Sequence, residues 1–264
     1  MKRGGRSFFS IENAFALQAT LLLAFFLLPL AGLLARVPWA TAWEELRGER
    51  VLEAMRLSLV AASLASVISL AFGFPLAWVL CRRSFRGKEL MRALVLLPMV
   101  FPPVVGGVAL LAAFGTRGLL GGVLAYLGVR LPFTFAAAVL AATFVSAPFL
   151  VLALEAGLAS ADRRLEEAAE TLGARPARVL STITLPSVRH SIVAGLALTW
   201  ARAAGEFGAT ITFAGNFPGR TQTMPLAIYE ALQTDMNGAI LMSVLLLGVS
   251  LVALLVLRRR IVQP

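Results

Sequence analysis

The hydrophobic pattern of this chain is one of long runs without charge. Stretches free of Asp, Glu, Lys and Arg lie between Glu12 and Arg36, Arg56 and Arg82, Arg92 and Arg117, Arg130 and Glu155, and Asp235 and Arg258. Each reaches the length of about 20 residues that a helix needs to cross bilayer hydrocarbon with its backbone polar groups satisfied internally. Residues 191–213 are also apolar but are interrupted by Arg202 and Glu206. The pattern predicts an all-α polytopic membrane protein with six transmembrane helices. The longest segment outside the spans is 157–189, so residues 1–264 read as a single transmembrane domain with one elaborate loop.

Punctuation modifies two of these spans. Pro98, Pro102 and Pro103, with Gly106 and Gly107, predict a kink in the third, because proline frees backbone carbonyls and cannot donate to the helix ladder. The kink reads either as a moving part or as a static bend. Gly118 and Gly122 have GxxxG spacing but fall near a membrane exit, where the pattern is weak evidence for helix pairing. The first run could be a secretory signal, with Lys2, Arg3 and Arg6 before it and Ala40-Thr41-Ala42 after it. Its apolar core, residues 14–34, exceeds the roughly 7–15 residues of a signal core, so a retained helix is expected.

Composition agrees with the runs. Of 264 residues, 59% are hydrophobic and 14% charged, and the mean hydropathy of +0.84 excludes an ordinary soluble enzyme. The net charge of +10 would suggest nucleic acid in a soluble chain; in a membrane protein it is an orientation signal, and no nucleic-acid partner is expected. Sixteen of the 24 Lys and Arg fall on one side, in the two tails and in the loops after the second and fourth spans. The other side carries Arg36, Arg47, Arg50, Arg117, Arg130 and Arg220. Basic loops stay inside, so both termini are expected in the cytoplasm. Trp39 and Trp43 stand where interfacial aromatics anchor a chain at the outer surface. One Cys and one His leave no disulfide framework or metal cluster, and neither GxxxxGK(S/T), HExxH nor GxSxG occurs. No catalytic, cofactor or metal-binding residue is expected in this chain.

The large inner loop reads EEAAETLGARPARVLSTITLPS over residues 166–187. Gly173 suits a left-handed helix stop and Pro176 the first turn of a following helix, which predicts helix, corner, helix. Pro186 sits where the next span begins. By composition alone the loop could be an amphipathic segment lying on the membrane surface. Its spacing is more specific: Glu167, Ala168, Ala169, then Gly173, then Ile183, Leu185 and Pro186. This resembles the EAA motif of permease subunits of bacterial ATP-binding cassette importers, with every fixed position matched. The resemblance implies a type I importer permease fold in which the helix around residues 167–173 docks on a cytoplasmic ATPase subunit and couples its closure to the spans.

A second segment, residues 201–232, contains GEFGAT, AGN-x-PG and TQT-x-PLAIY. It resembles the same region of molybdate and tungstate permeases and, less closely, of sulfate permeases. The likeness runs from about the second span to the sixth. Arg202 and Glu206 are four residues apart and would share a helix face. Charges at this depth are costly, so the pair either lines an anion route or forms a structural ion pair. Gly205 and Gly208 would permit close backbone approach there. Thr210 and Thr212 would add hydroxyl donors for a tetrahedral oxyanion, although threonines in spans often bond their own backbone. The outer loop carries Arg220, Thr221, Gln222 and Thr223 after a turn; the resemblance places a substrate-loaded binding protein there, and a solvated turn is the plainer reading.

The resemblance thus implies a permease subunit carrying molybdate or tungstate across a bacterial or archaeal plasma membrane. It implies a homodimer, two ATPase subunits that bind ATP and Mg, and an extracytoplasmic oxyanion-binding protein. A sulfate or thiosulfate permease is the alternative within the class. Outside it stand a membrane scaffold or enzyme, against which the single His, the single Cys and the lack of clustered intramembrane carboxylates argue.

Overall fold

The computed structural model describes residues 5–262, and every regular element among them is helical. Lys2 and Arg3, counted above toward the inner charge, lie outside the described residues, as do the side chains of Arg6, Arg258, Arg259 and Arg260. The first charge-free run forms α1 (Gly5–Ala35), and a short α2 (Ala42–Leu46) follows. The second span is α3 (Glu49–Arg82), and the fourth is α7 (Phe135–Ser160). The sixth is α14 (Met236–Val262). These four long helices are the apolar spans predicted from the runs.

The third and fifth spans are broken. The third consists of α4 (Lys88–Val100) and α5 (Pro103–Phe114), separated at Phe101 and Pro102. Consecutive prolines cannot donate to carbonyls a turn back, so the helix stops, and Pro103 opens the next one where a missing N–H costs little. After α5 the chain makes a short α6 (Gly121–Tyr126). The fifth span is α11 (Arg189–Ala204) and α12 (Gly208–Phe213), separated at residues 205–207. Between α7 and α11 come α8 (Arg163–Thr171), α9 (Pro176–Val179), a π-helical turn (Leu180–Thr184) and α10 (Leu185–Ser187). Between the fifth and sixth spans lies α13 (Met224–Thr234).

At the centre, α3, α7 and α11 pack on one another through small residues. Ala62 and Ala65 of α3 meet Ala142 of α7 and Ala203 and Ala204 of α11 in one buried cluster. Small side chains let backbones approach in a medium that offers no hydrophobic drive between helices, and dispersion then accumulates along the seam. A second cluster lies nearer the end of the bundle that carries the long loop between the fourth and fifth spans, with Leu80 of α3, Leu150, Leu154 and Leu158 of α7, and Val188. The half-helix α12 packs on α5, and α13 packs on α14 and α3. Ser58 of α3 accepts the N–H of Met224 at 2.7 Å, satisfying a donor at the start of α13 that no capping side chain serves. The first helix stands at the edge: Phe15, Leu21, Phe25 and Leu28 are all exposed, an apolar surface suited to hydrocarbon.

Candidate functional site

The loop between the fourth and fifth spans begins with Asp162, whose carboxylate accepts the Arg164 N–H at 2.9 Å and caps α8. The helix ends as predicted at Gly173, with φ +82°. Gly173 N–H donates to Glu170 O at 2.9 Å and Ala174 N–H to Ala169 O at 3.0 Å, the paired closing bonds of a Schellman stop. Pro176 opens α9. The expected second helix is less regular than the sequence suggests, because after four residues it widens into the π-helical turn Leu180–Thr184. The cause is Pro186: it has no N–H to give a carbonyl four residues back, and its ring crowds that turn. Side chains satisfy part of the strained ladder, with Thr182 Oγ1 donating to Arg178 O at 2.6 Å and Ser187 Oγ to Ile183 O at 2.6 Å.

The structure sorts the motif residues by environment. Glu167, Ala168 and Gly173 are exposed, Ala169, Ile183 and Leu185 are half-buried, and Pro186 is exposed. Leu165 and Leu172, 55% and 88% exposed, flank the free face of α8. No residue of α8 is buried. The helix therefore stands proud of the bundle, with a small-residue surface edged by two leucines.

In the membrane, Arg202 and Glu206 do come together, with Arg202 Nη1 2.8 Å from Glu206 Oε2. They do so across the break rather than along one helix, since α11 ends at Ala204. The contact is an ion pair by distance but out of line for a hydrogen bond, because Glu206 Oε2 has no hydrogen-bond partner. Glu206 Oε1 accepts the Ala209 N–H at 2.9 Å, so this 3%-exposed carboxylate also satisfies the start of α12. Arg202 lines a cavity of about 260 Å³ with Pro98, Met99, Pro102, Gly106 and Phe144. The break in the third span and the charge beside the break in the fifth thus face one space.

Of the glycines, Gly208 makes the close approach expected of it: a Cβ there would lie 2.3 Å from Pro103 Cβ. Gly205 does not, its nearest neighbour being Ala201 O at 3.8 Å. Gly107, on the facing helix, is as tight against Thr212 Cβ, at 2.5 Å. Thr210 is buried in the packed chain, and Thr212 spends its hydroxyl on Gly208 O at 2.9 Å, the backbone bond common for threonine in spans. Gly118, in the turn after α5, packs on the end of that helix, a Cβ there lying 2.6 Å from Ala112 O, and Gly122 has nothing within 4 Å.

The loop between the fifth span and α13 turns its polar residues inward. Arg220 is exposed, but Thr221, Gln222 and Thr223 are buried. Thr221 Oγ1 accepts from Phe217 N–H at 3.1 Å, and Gln222 Nε2 donates to Asn216 Oδ1 at 2.9 Å and Glu230 Oε2 at 2.6 Å. In this conformation Thr221 and Gln222 fasten the loop, because a tight turn leaves backbone groups that something must satisfy, while the buried Thr223 hydroxyl has no hydrogen-bond partner among the described residues; only Arg220 of the four offers itself to a partner protein. Two ion pairs at the end of the bundle that carries α8 are not evident from the sequence. Arg92 joins the third span to Glu155 at the end of the fourth at 2.8 Å, and Arg82 pairs with Glu166 at 2.9 Å.

A protein-family model for the binding-protein-dependent transport system inner membrane component matches residues 69–263. The chain belongs to that family. Within it, the chain is 43% identical over 233 residues to the molybdenum transport system permease protein ModB of Mycobacterium bovis, covering 88% of each chain. It is 36% identical over 232 residues to the sulfate transport system permease protein CysT of Escherichia coli K12, covering 86% of this chain and 84% of that one. The fold is similar to that of a bacterial alginate ABC transporter crystallised in complex with a periplasmic protein carrying an alginate pentasaccharide, with TM-score 0.72, 18% identity, and 96% and 98% coverage of the two chains. Members of this family are membrane-embedded permease subunits, so the protein is a multi-pass membrane component of a transporter and its six-span plan is the importer permease fold.

Proposed function

We propose that this chain is the membrane-spanning subunit of an importer that carries molybdate or tungstate into the cytoplasm. The observation that carries this reading is the 43% identity to a molybdenum permease over 88% of both chains, against 36% for the sulfate permease. Two copies form the pathway, an extracytoplasmic binding protein delivers the oxyanion, and two cytoplasmic ATPase subunits bind ATP and Mg and supply the energy. The chain itself holds no catalytic residue. Both termini face the cytoplasm, a placement supported by the excess of Lys and Arg in the tails and in the loops after the second and fourth spans.

The geometry gives these roles a physical basis. The knob of α8, bearing Glu167 and Ala168 and stopped at Gly173, is gripped by the ATPase; the half-buried Ile183 and Leu185 root it in the bundle, and Pro186 shapes the turn that leads from it to the fifth span. Coupling needs a contact that differs between two states, and a rigid projecting helix transmits such a difference where a tether would not. Arg202 faces the passing dianion at the level where the third and fifth spans break. Paired with Glu206 it presents little net charge, so an oxyanion competes for the guanidinium and is held weakly enough to leave. Gly205, Gly208, Thr210 and Thr212 shape that level, Gly208 and Thr212 by setting how closely α12 lies on α5. The exposed valines of α5, Val104, Val105 and Val108, offer an apolar face for the second copy. At the outer mouth Arg220 meets the binding protein, with Thr221 and Gln222 holding its loop in shape and Thr223 buried beside them.

Copurification tests the assembly: in mild detergent the ATPase should follow this chain through α8. Its failure to do so in the intact complex would contradict the proposal.

A further inference from the structure

Three elements meet at one carboxylate oxygen on the inner side. Arg82, the last residue of α3, donates from Nη2 to Glu166 Oε1 of α8 at 2.9 Å, and Thr184 of the π-helical turn donates its hydroxyl to the same oxygen at 2.8 Å. The groups are well enclosed, the side chains of Arg82 and Glu166 being 6% and 17% exposed and Thr184 2%. Glu167, the motif carboxylate next in sequence, is by contrast exposed.

This contact stands where packing does not. No residue of α8 is buried, and beside Glu166 a groove of about 410 Å³ opens, lined by Phe74, Trp78, Glu170, Pro176 and Leu180. The helix is therefore not seated on α3 by an apolar core. Its links to the spans are not continuous helix: Ala161 is extended before it, Gly173 turns left-handed after it, and Val188 interrupts the helix that leads into α11. The second span reaches the loop because α3 has 34 residues, about 51 Å at 1.5 Å per residue against roughly 30 Å of hydrocarbon. An enclosed ion pair with a second donor on the same oxygen sets one orientation.

We propose that Glu166 is a positioning residue of the coupling machinery: held by Arg82 and Thr184, it locks α8 to the inner end of the second span and converts a tethered helix into a lever. The proposal rests on the reading of α8 as the helix gripped by the ATPase.

The test uses the complete transporter in proteoliposomes, with its ATPase and loaded binding protein, and measures ATPase retention, ATP hydrolysis and uptake per ATP. Glu166→Ala and Arg82→Glu should retain the ATPase and hydrolyse ATP while uptake per ATP falls about ten-fold, within the range of typical coupling free energies. The reversed pair R82E/E166R should restore most of that loss, since a direct interaction shows as non-additivity. Thr184→Val keeps the ion pair and should give a smaller loss in the same direction. Unchanged uptake per ATP in Glu166→Ala and Arg82→Glu would overturn the proposal, as would a loss that the reversed pair does not restore. Glu167→Lys and Gly173→Leu separate the two readings. If they uncouple while Glu166→Ala does not, only the locking role fails; if none of these variants changes coupling, the reading of α8 fails with it.

Discussion

Gly208→Ala examines whether the two outer half-helices are packed as tightly as their geometry implies. A methyl carbon at Gly208 would stand 2.3 Å from Pro103 Cβ, and 3.1 Å and 3.2 Å from the Pro103 carbonyl carbon and Cα. Carbon atoms in contact sit about 3.5–4.0 Å apart, so α12 and α5 must part by about 1 Å. The obstructing atoms are proline ring and backbone and cannot rotate aside. Overpacking of this kind costs about 1–3 kcal/mol, and the higher helix propensity of alanine returns up to about 1 kcal/mol. A net loss of about 1–2 kcal/mol corresponds to a fall in melting temperature of about 2–8 °C for a chain of this size. Thermal unfolding in detergent, with uptake measured on the same preparation, should show that fall together with slower transport. Gly122→Ala is the control: nothing lies within 4 Å of a Cβ there, and neither quantity should drop. A Gly208→Ala protein with unaltered melting temperature and uptake would refute the close packing of α5 on α12.

Further outcomes follow from the other sites. Gly173→Leu places a branched side chain at φ +82°, a strain of about 1–2 kcal/mol; together with Glu167→Lys it should leave membrane insertion intact and separate ATP hydrolysis from uptake. Arg202→Lys keeps the charge beside Glu206 but replaces the planar fork with a point charge, so uptake should fall while assembly, read by gel filtration with the ATPase, stays normal; normal uptake would make the pair purely structural. Gln222→Ala removes the donor shared by Asn216 and Glu230; because Asn216 is only half-buried and Glu230 exposed, the cost is that of an ordinary hydrogen bond, about 1 kcal/mol, and faster proteolysis of the loop at residues 215–223 should report it.

Much of the scaffold was legible in the sequence because lipid imposes a simple rule on it. A charge-free run must be helical, and the basic loops choose a side. The prolines at 98, 102 and 103 announced a bend. The break at Gly205 was not announced, because GEFG following an apolar helix reads equally well as its continuation; the start of α12 finds a local acceptor in Glu206, and the tertiary contribution is the close approach of Gly208 to Pro103. The same limit explains the outer loop. Turn residues say where the chain reverses but not which side chains it swallows, and Thr221 and Gln222 were taken inside to satisfy it. The inner ion pairs join residues 84 and 63 positions apart, and in a count of charges Arg82 and Arg92 are indistinguishable from any other inner basic residue. The EAA pattern, in contrast, is local, and the stop at Gly173 follows from its glycine.

The central claim is one of cargo, and competitive uptake tests it most directly. With the complete importer in proteoliposomes and ATP enclosed, labelled molybdate should accumulate and be displaced by unlabelled molybdate or tungstate, while sulfate in excess leaves uptake unchanged. Sulfate uptake that molybdate fails to displace would contradict the account and leave only the fold standing.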